Sequence, residues 1–266
     1  MRLTFLGTGT SFGIPQIGCP CSVCHSEDPR DRRGRTAVVV QENGKAILVD
    51  TPPELRVAMV REGFRGVDAV VYTHDHADHT HGIDDLRALS GRHHGTLPIY
   101  GPADALERMG RKFDYIFDPD LRPIPGSSRP AVTVTPVEAG RRVRIAGIEV
   151  LPLRFPHGPS DVFGYRFGPI AYLTDVKVVP EAERRALAGL EVLVINALFH
   201  RAHPTHLSLP EAVETALAIG AKRTFLTHLT HETGHAALEA ELPPEVRPAY
   251  DGLVVEAEGR PPAAHR

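Results

Sequence analysis

Residues 72–82, YTHDHADHTHG, crowd four histidines and two aspartates into one short stretch. Imidazole nitrogen and carboxylate oxygen are donors that zinc, manganese and iron accept, and two such ions about 3.5–4 Å apart can hold a hydroxide between them. A solvated polar loop is the other use of such residues. Packing so many neutral imidazoles together without a cation is costly to desolvate, however, which favours metal. The preceding run VDAVVYT (67–73) has the composition of a buried strand, so the histidines begin where that strand ends. An extended exit puts His74 and His76 on one side, and Asp78 and His79 follow as the chain turns. His81 and the pair His93 and His94 have no partner in this pattern and read as surface or helix-start residues.

The second cluster is GCPCSVC, at the head of a Cys-rich loop spanning 18–25. Cys19, Cys21 and Cys24 have the spacing of three thiolates on one structural zinc; a redox Cys-x-x-Cys or three small buried side chains are the alternatives. His25 adjoins Cys24, and neighbouring side chains tend to point apart. His231, three residues after His228 in THLTH, is the better fourth ligand, with His235 as a fallback.

The elements that must position these groups alternate apolar runs with glycine turns. Strands fit 3–9, 36–50 (a hairpin turning at ENGK) and 67–73, and a helix fits PPELRVAMVREG (52–63), with another starting near Gly82. Further strands fit RVRIAGIEVLPLRF, VFGYRF, IAYLTD, EVLVINAL and RTFLTHL, and a helix fits 210–220. Continuous apolar strands such as VLVI imply sheets covered on both faces, in an α/β chain with mixed pairing. Residues 111–130 form a proline-rich, aromatic excursion without a clear period, in which Phe113, Tyr115, Ile116 and Phe117 suit a lid, a homodimer contact or plain local packing.

The chain has 266 residues, 42% of them hydrophobic and 24% charged, enough for a full core in a single domain over 1–266. A net charge of −3 gives it no global reason to coat nucleic acid or an anionic membrane. No apolar run approaches the roughly 20 residues of a membrane span, and three clustered cysteines are no disulfide framework, so a cytoplasmic protein is expected.

THDHADH resembles the signature of the metallo-β-lactamase superfamily. The remainder of that pattern is present in order: Asp50 in AILVDTPP, His157 in LRFPHG, Asp175 in AYLTD and His228 in TFLTHL. The resemblance implies a four-layer αββα sandwich of two mixed sheets, with a pair of metal ions at one edge. It implies that His74, His76 and His157 bind one ion, that Asp78, His79 and His228 bind the other, and that Asp175 bridges them, with Asp50 orienting ligands. The opening FLGTGTSFGIPQIGCPCSVC and the later THLTH are similar to the branch of cyclic phosphodiesterases that includes the phosphoribosyl cyclic phosphate enzymes of phosphonate breakdown. That branch carries the added zinc and acts on small cyclic phosphodiesters, including 2′,3′-cyclic nucleotides.

The implied reaction is attack on phosphorus by hydroxide shared between the ions, zinc or manganese. Asp78, Asp50 and His206 are counted among the residues that serve it. His206, in HPTHLSLPEA, falls where phosphodiesterases of this superfamily carry a phosphate-facing histidine, with His203 as substitute and a plain helix-start residue beside the Ser208 cap as the bland reading. Two rivals stand beside this expectation. One is an RNA endonuclease resembling ribonuclease Z, although Arg111, Lys112, Arg122 and Arg129 make no obvious basic arm. The other is a metal-holding protein, similar to the PqqB type, that turns nothing over.

Overall fold

The computed structural model describes residues 1–90, 95–121 and 123–258. His93, His94 and Arg122, singled out above, lie outside the described residues. Two seven-stranded sheets face each other. The first contains β1 (Arg2–Gly7), β2 (Ala37–Glu42), β3 (Lys45–Val49), β4 (Ala69–Val71), β5 (Leu97–Gly101) and β6 (Val132–Pro136). The second contains β7 (Val143–Ile145), β8 (Ile148–His157), β9 (Ser160–Phe167), β10 (Ile170–Leu173), β11 (Val192–Asn196), β12 (Arg223–Thr227) and β13 (Val246–Pro248); β14 (Val254–Glu256) returns to pair with β1.

Side-chain alternation explains the layering. In β11 Val192 and Val194 enter the core between the sheets, while Leu193 and Ile195 point to the outer face. The same split holds in β2, with Val38 and Val40 inward and Ala37 and Val39 outward. Strands apolar on both faces need a cover on each side. The first sheet is covered by α1 (Leu55–Arg61), α3 (Leu86–Ser90), α4 (Ala103–Lys112) and α5 (Asp114–Phe117), through Leu55, Met59, Leu86, Leu106, Met109 and Ile116. The second is covered by α7 (Leu209–Ile219) and α8 (His235–Glu241), through Ala212, Ala216, Ile219 and Leu238. Short helices α2 (Ala77–Thr80) and α6 (Glu181–Ala186) complete the set, and the αββα sandwich is established. Among the described residues no helix is long and apolar enough to cross a membrane.

Several boundaries differ from the expectations. RVRIAGIEVLPLRF is not one strand: Ala146 and Gly147, at φ 49° and 86°, turn the chain between β7 and β8, as Asn43 and Gly44 do between β2 and β3. The helix expected over 52–63 begins only at Leu55, because Pro52 and Pro53 lie in the turn ahead of it. The segment begun by Gly82 is first a 3-10 turn, Ile83–Asp85, and then α3. Within 111–130, α4 continues to Lys112 and α5 follows, with Ile116 buried and Phe113 and Phe117 packed against the outer core of the first sheet. Local packing accounts for these three side chains.

The topology sends many strand ends to one edge. Strands β3 to β6 run parallel to one another, as do β10 to β13, and β8 is antiparallel to β9, which is antiparallel to β10. The C-terminal ends of β3, β4, β8, β10 and β12 therefore meet. Gly82 tethers this edge: its amide donates to the Thr51 carbonyl at 2.9 Å, and a Cβ there would run into the Pro52 carbonyl oxygen. Gly82→Ala is accordingly expected to cost about 1–3 kcal/mol through overpacking against rigid backbone. Thermal unfolding reads the effect as a drop of several degrees; an unchanged melting temperature would contradict the close approach.

Candidate metal centre

Each donor sits just beyond a strand end. Asp50 follows β3, His74 and His76 follow β4, His157 ends β8, Asp175 follows β10 and His228 follows β12. Asp50, Asp175 and His228 adopt left-handed φ values of 64°, 60° and 57°. Residues with a Cβ resist this region at a cost of about 1–3 kcal/mol, and such strain clusters where a side chain must be aimed. Among the described residues the other positive-φ positions with a Cβ, Asn43 and Ala146, lie in two hairpin turns, so the remaining strain there falls on the strand ends of this edge.

Two donor sets result. Ligand atoms of His74, His76, His157 and Asp175 lie within 4.8 Å of one another, and so do those of Asp78, His79, Asp175 and His228. Asp175 belongs to both and divides its oxygens: Oδ1 lies 3.4 Å from His79 Nε2 and 3.5 Å from His228 Nε2, while Oδ2 lies 3.9 Å from His74 Nε2. Asp78 Oδ2 closes the second set at 3.4 Å from His79 Nε2 and 3.6 Å from His228 Nε2. Nitrogen and oxygen ligands about 2.0–2.2 Å from a tetrahedral ion stand about 3.4 Å apart, so the spacing suits a cation.

The buried polar atoms make the same point. The Nε2 atoms of His74, His79 and His228 are removed from water without a hydrogen-bond partner. Leaving such atoms unpaired costs about 1–3 kcal/mol each, and a metal ion is a partner that removes the deficit. The opposite nitrogens of two of these rings are held, whereas His228 Nδ1 is also without a partner: His79 Nδ1 is 2.8 Å from Asp50 Oδ2, and His74 Nδ1 is 2.9 Å from Thr73 Oγ1. His157 Nδ1 is 3.0 Å from the Thr205 carbonyl. Asp50 is fixed in turn by the Thr73 amide and hydroxyl, both donating at 2.8 Å. These contacts aim the inner nitrogens at the centre.

Burial and charge compete throughout. Burial, then the charge of His79, drives His74 towards the neutral ring. Burial also works against protonated His79, yet Asp78, Asp175 and Asp50 outweigh it and hold the ring charged well above the usual imidazole range. Burial alone would raise the carboxyl groups of Asp175 and Asp78, but His228 and His79 hold the first, and His79 the second, well below the usual carboxylate range. The negative field that keeps a proton on His79 suits a cation equally well.

His206 reaches this centre and His203 does not. His206 Nε2 lies 3.0 Å from Asp175 Oδ2, and its ring stacks on His228 at 5.0 Å between centroids. His203 instead lies 3.2 Å from Thr205 Oγ1. Ser208 is the N-cap of α7, with a reciprocal capping box to Glu211, so it orders the chain next to His206. His81 is exposed and meets Phe113 edge-on, outside both sets.

Two residues were missed. Asp75, between His74 and His76, accepts from Arg108 Nε at 2.8 Å and Lys112 Nζ at 2.6 Å, so α4 clamps the histidine loop. Asn196, at the end of β11, accepts from the Val176 amide at 2.7 Å and donates to the Val176 carbonyl at 3.2 Å, fixing the backbone after Asp175. A polar residue in an otherwise apolar strand is the signal that could have found Asn196.

The cysteine loop forms a separate group. His231 Nδ1 lies 3.3, 3.3 and 3.5 Å from the Sγ atoms of Cys19, Cys21 and Cys24. Zinc–sulfur and zinc–nitrogen bonds of about 2.3 and 2.0 Å give a tetrahedral edge of about 3.5 Å, close to these distances. The Cys24 amide donates to Cys21 Sγ and brings that thiol down to about 6, while burial pushes Cys24 up to about 11. The alternative ligands are elsewhere: His25 is exposed against the Cys21 carbonyl, and His235 Nδ1 lies 3.1 Å from the buried Arg33 guanidinium.

The two centres are separable by mutation. Asp50→Ala, which releases His79 Nδ1, is expected to weaken ion binding at the histidine–aspartate centre about 10–100-fold, read by chelator competition; unaltered competition would contradict its orienting role. Cys21→Ser is expected to remove one zinc equivalent per chain and lower the melting temperature, and full retention of metal would contradict the thiolate site.

A family model described as the β-lactamase superfamily domain matches residues 45–229, more than two thirds of the chain. A solved structure described as a diphosphatase of the PhnP family is 40% identical, with a TM-score of 0.89 over 97% of this chain and 98% of that one. An octanoyltransferase of Porphyromonas gingivalis is 37% identical over 259 residues, 95% of this chain and 51% of that protein. A ribonuclease Z of Bradyrhizobium diazoefficiens is 28% identical over 171 residues, 62% of this chain and 49% of the other. The chain thus spans about half the length of these two curated relatives. With the fold and the family match in agreement, the chain belongs to the β-lactamase superfamily and has the metallo-β-lactamase fold.

Proposed function

We propose that the protein hydrolyses small disubstituted phosphates, cyclic phosphodiesters such as 2′,3′-cyclic nucleotides or phosphoribosyl 1,2-cyclic phosphate above all. The observation that carries this reading is His206 Nε2, 3.0 Å from the carboxylate common to both donor sets and only partly exposed. An imidazole there faces the place where a phosphoryl group would be cleaved. In this reading His74, His76 and His157 would hold one divalent ion and Asp78, His79 and His228 the other, with Asp175 common to both donor sets, and Cys19, Cys21, Cys24 and His231 would hold zinc. Zinc or manganese held there would supply Lewis acidity for the activation of water and for the charge on the phosphoryl oxygens.

The chain's own residues supply the rest. His206 carries a proton at Nε2, beside Asp175, and delivers it to the departing alkoxide; Thr205 Oγ1, 2.8 Å from its Nδ1, orients the ring. Burial disfavours the charged form of that ring, and the adjacent Asp175 carboxylate favours it. Asp50 keeps His79 turned inwards, and Asp75 steadies the loop carrying His74 and His76.

The 40% identical relative described as a diphosphatase supports chemistry at phosphorus, and a diphosphate linkage presents the same kind of centre to attack. The match to the octanoyltransferase spans only half of that protein and supports no acyl transfer by this chain. An RNA substrate is less favoured. Of the cations in the excursion, Arg111 pairs with Glu107, Lys112 with Asp75, and Arg129 donates to the carbonyls of Tyr115 and Asp118, so these three are already engaged. Thiols kept for a metal suit the cytoplasm.

Metal-loaded protein assayed on cyclic nucleotides, bis(p-nitrophenyl) phosphate, a nucleoside diphosphate sugar and precursor tRNA tests the reading. Preferred cleavage of cyclic diesters is expected; cleavage of RNA alone, with salt-steep binding, would replace it with the nuclease, and no turnover with a silent metal protein. His206→Ala is expected to reduce turnover about 10²–10⁴-fold at unchanged metal content. Near-normal turnover would remove His206 from the reaction.

A further inference from the structure

Among the described residues each sheet ends in two strands with a neighbour on one side only: β14 and β6 in the first sheet, β13 and β7 in the second. Such an edge presents backbone N–H and C=O groups to any other strand, and short length, charged side chains or proline keep it from pairing. Three of the four edges are guarded in this way. β14 carries Glu256, β13 carries Arg247 and Pro248, and β7 carries Arg144, each in a strand of 3 residues. β6 is the exception. It has 5 residues, Val132–Pro136, none of them charged, and every one after Val132 is exposed.

The ladder to β5 fixes which of its backbone groups face outwards. The Leu97 amide donates to the Ala131 carbonyl at 2.8 Å, and the Val137 amide donates to the Gly101 carbonyl at 2.9 Å. The N–H and C=O of one strand residue point to the same side, and the side alternates along the chain. Residues 131, 133, 135 and 137 therefore bond to β5, while Val132, Val134 and Pro136 turn their backbone groups away from it. Pro136 has a carbonyl but no N–H. The open edge thus offers the donors of Val132 and Val134 and the acceptors of all three.

An identical strand laid antiparallel about a two-fold axis through Val134 answers these groups. Val134 of each copy would exchange both hydrogen bonds with Val134 of the other, and each Val132 would donate to the opposite Pro136 carbonyl, two bonds at the axis and one at each end. The side chains agree with this register, since valine meets valine or proline on one face and Thr133 meets Thr135 on the other. The flanking charges agree too. Arg129 and Glu138 are the nearest charged residues before and after the strand, they differ in sign, and an antiparallel run brings each beside the other. This self-complementarity favours a second copy over an unrelated extended peptide, and a two-fold contact of this kind closes at two chains.

We propose that β6 is a self-association surface that pairs antiparallel with β6 of a second copy, Val134 against Val134, and so joins the first sheets of two molecules. Sedimentation of the metal-loaded protein over about a hundredfold range of concentration is expected to show a monomer–dimer equilibrium. Hydrogen exchange of the Val132 and Val134 amides is expected to slow about tenfold or more from the dilute to the concentrated protein, while the amides of Thr133 and Thr135, bonded to β5 in either case, keep their rates. Val134→Lys sets two ammonium groups against each other at the axis and is expected to leave monomers throughout the range, at unchanged metal content. A monomer at every concentration of the unsubstituted protein, a dimer that survives Val134→Lys, or exchange at Val132 and Val134 that ignores concentration overturns the proposal. The exchange measurement uses the unsubstituted chain, so it decides the matter whether or not Val134→Lys folds.

Discussion

Asp175 is a carboxylate removed almost wholly from water, and the architecture around it is organised to answer that charge. A buried anion is tolerated only with opposite charge and hydrogen bonds close by. Here Oδ1 faces His79 and His228, while Oδ2 faces His74 and His206. Thr174 donates to Oδ1 at 2.6 Å, and Asn196 fixes the next peptide unit. The imidazoles cannot satisfy the anion and one another without an added cation or protons, because three of their inner nitrogens have no hydrogen-bond partner. A cation at this convergence would answer the electrostatic deficit and fit the geometry together.

That convergence is paid for by the sandwich. Left-handed backbone at Asp50, Asp175 and His228 is unfavourable, and the strands leading into them are buried on both faces and held by parallel neighbours. A rigid sheet pair can sustain strained strand ends that an isolated loop would relax. The link from β12 onward adds a second tie: Leu229 donates to the Thr8 carbonyl at 2.9 Å and accepts from Thr10 at 3.1 Å, so the chain between His228 and His231 is bound to the segment that leads to the cysteines. The cysteine group therefore braces the same strand end that supplies His228.

The donors could be read in the sequence because polar residues at the ends of apolar runs have few structural uses. His74, Asp175 and His228 each end such a run, and strand order dictates that they meet. What the sequence concealed was pairing and direction. Asp75 reads as another member of the histidine stretch, and only the placement of α4 reveals its role as a clamp for Arg108 and Lys112. Strand β6 alternates valine and threonine, but it is exposed along most of its length and pairs through backbone to β5, so its valines mark no core face. The turn splitting β7 from β8 uses Ala146 in a conformation that favours glycine, which hid the break. The choice between His206 and His203 was equally hidden, since both precede the same helix and only distance to Asp175 separates them.

The most direct test of the central claim is anomalous scattering from crystals grown with zinc or manganese in excess. The account predicts two peaks about 3.5–4 Å apart on either side of the Asp175 carboxylate, one among His74, His76 and His157 and one among Asp78, His79 and His228. A single peak, or none, with Asp175 turned away from the histidines, would contradict it.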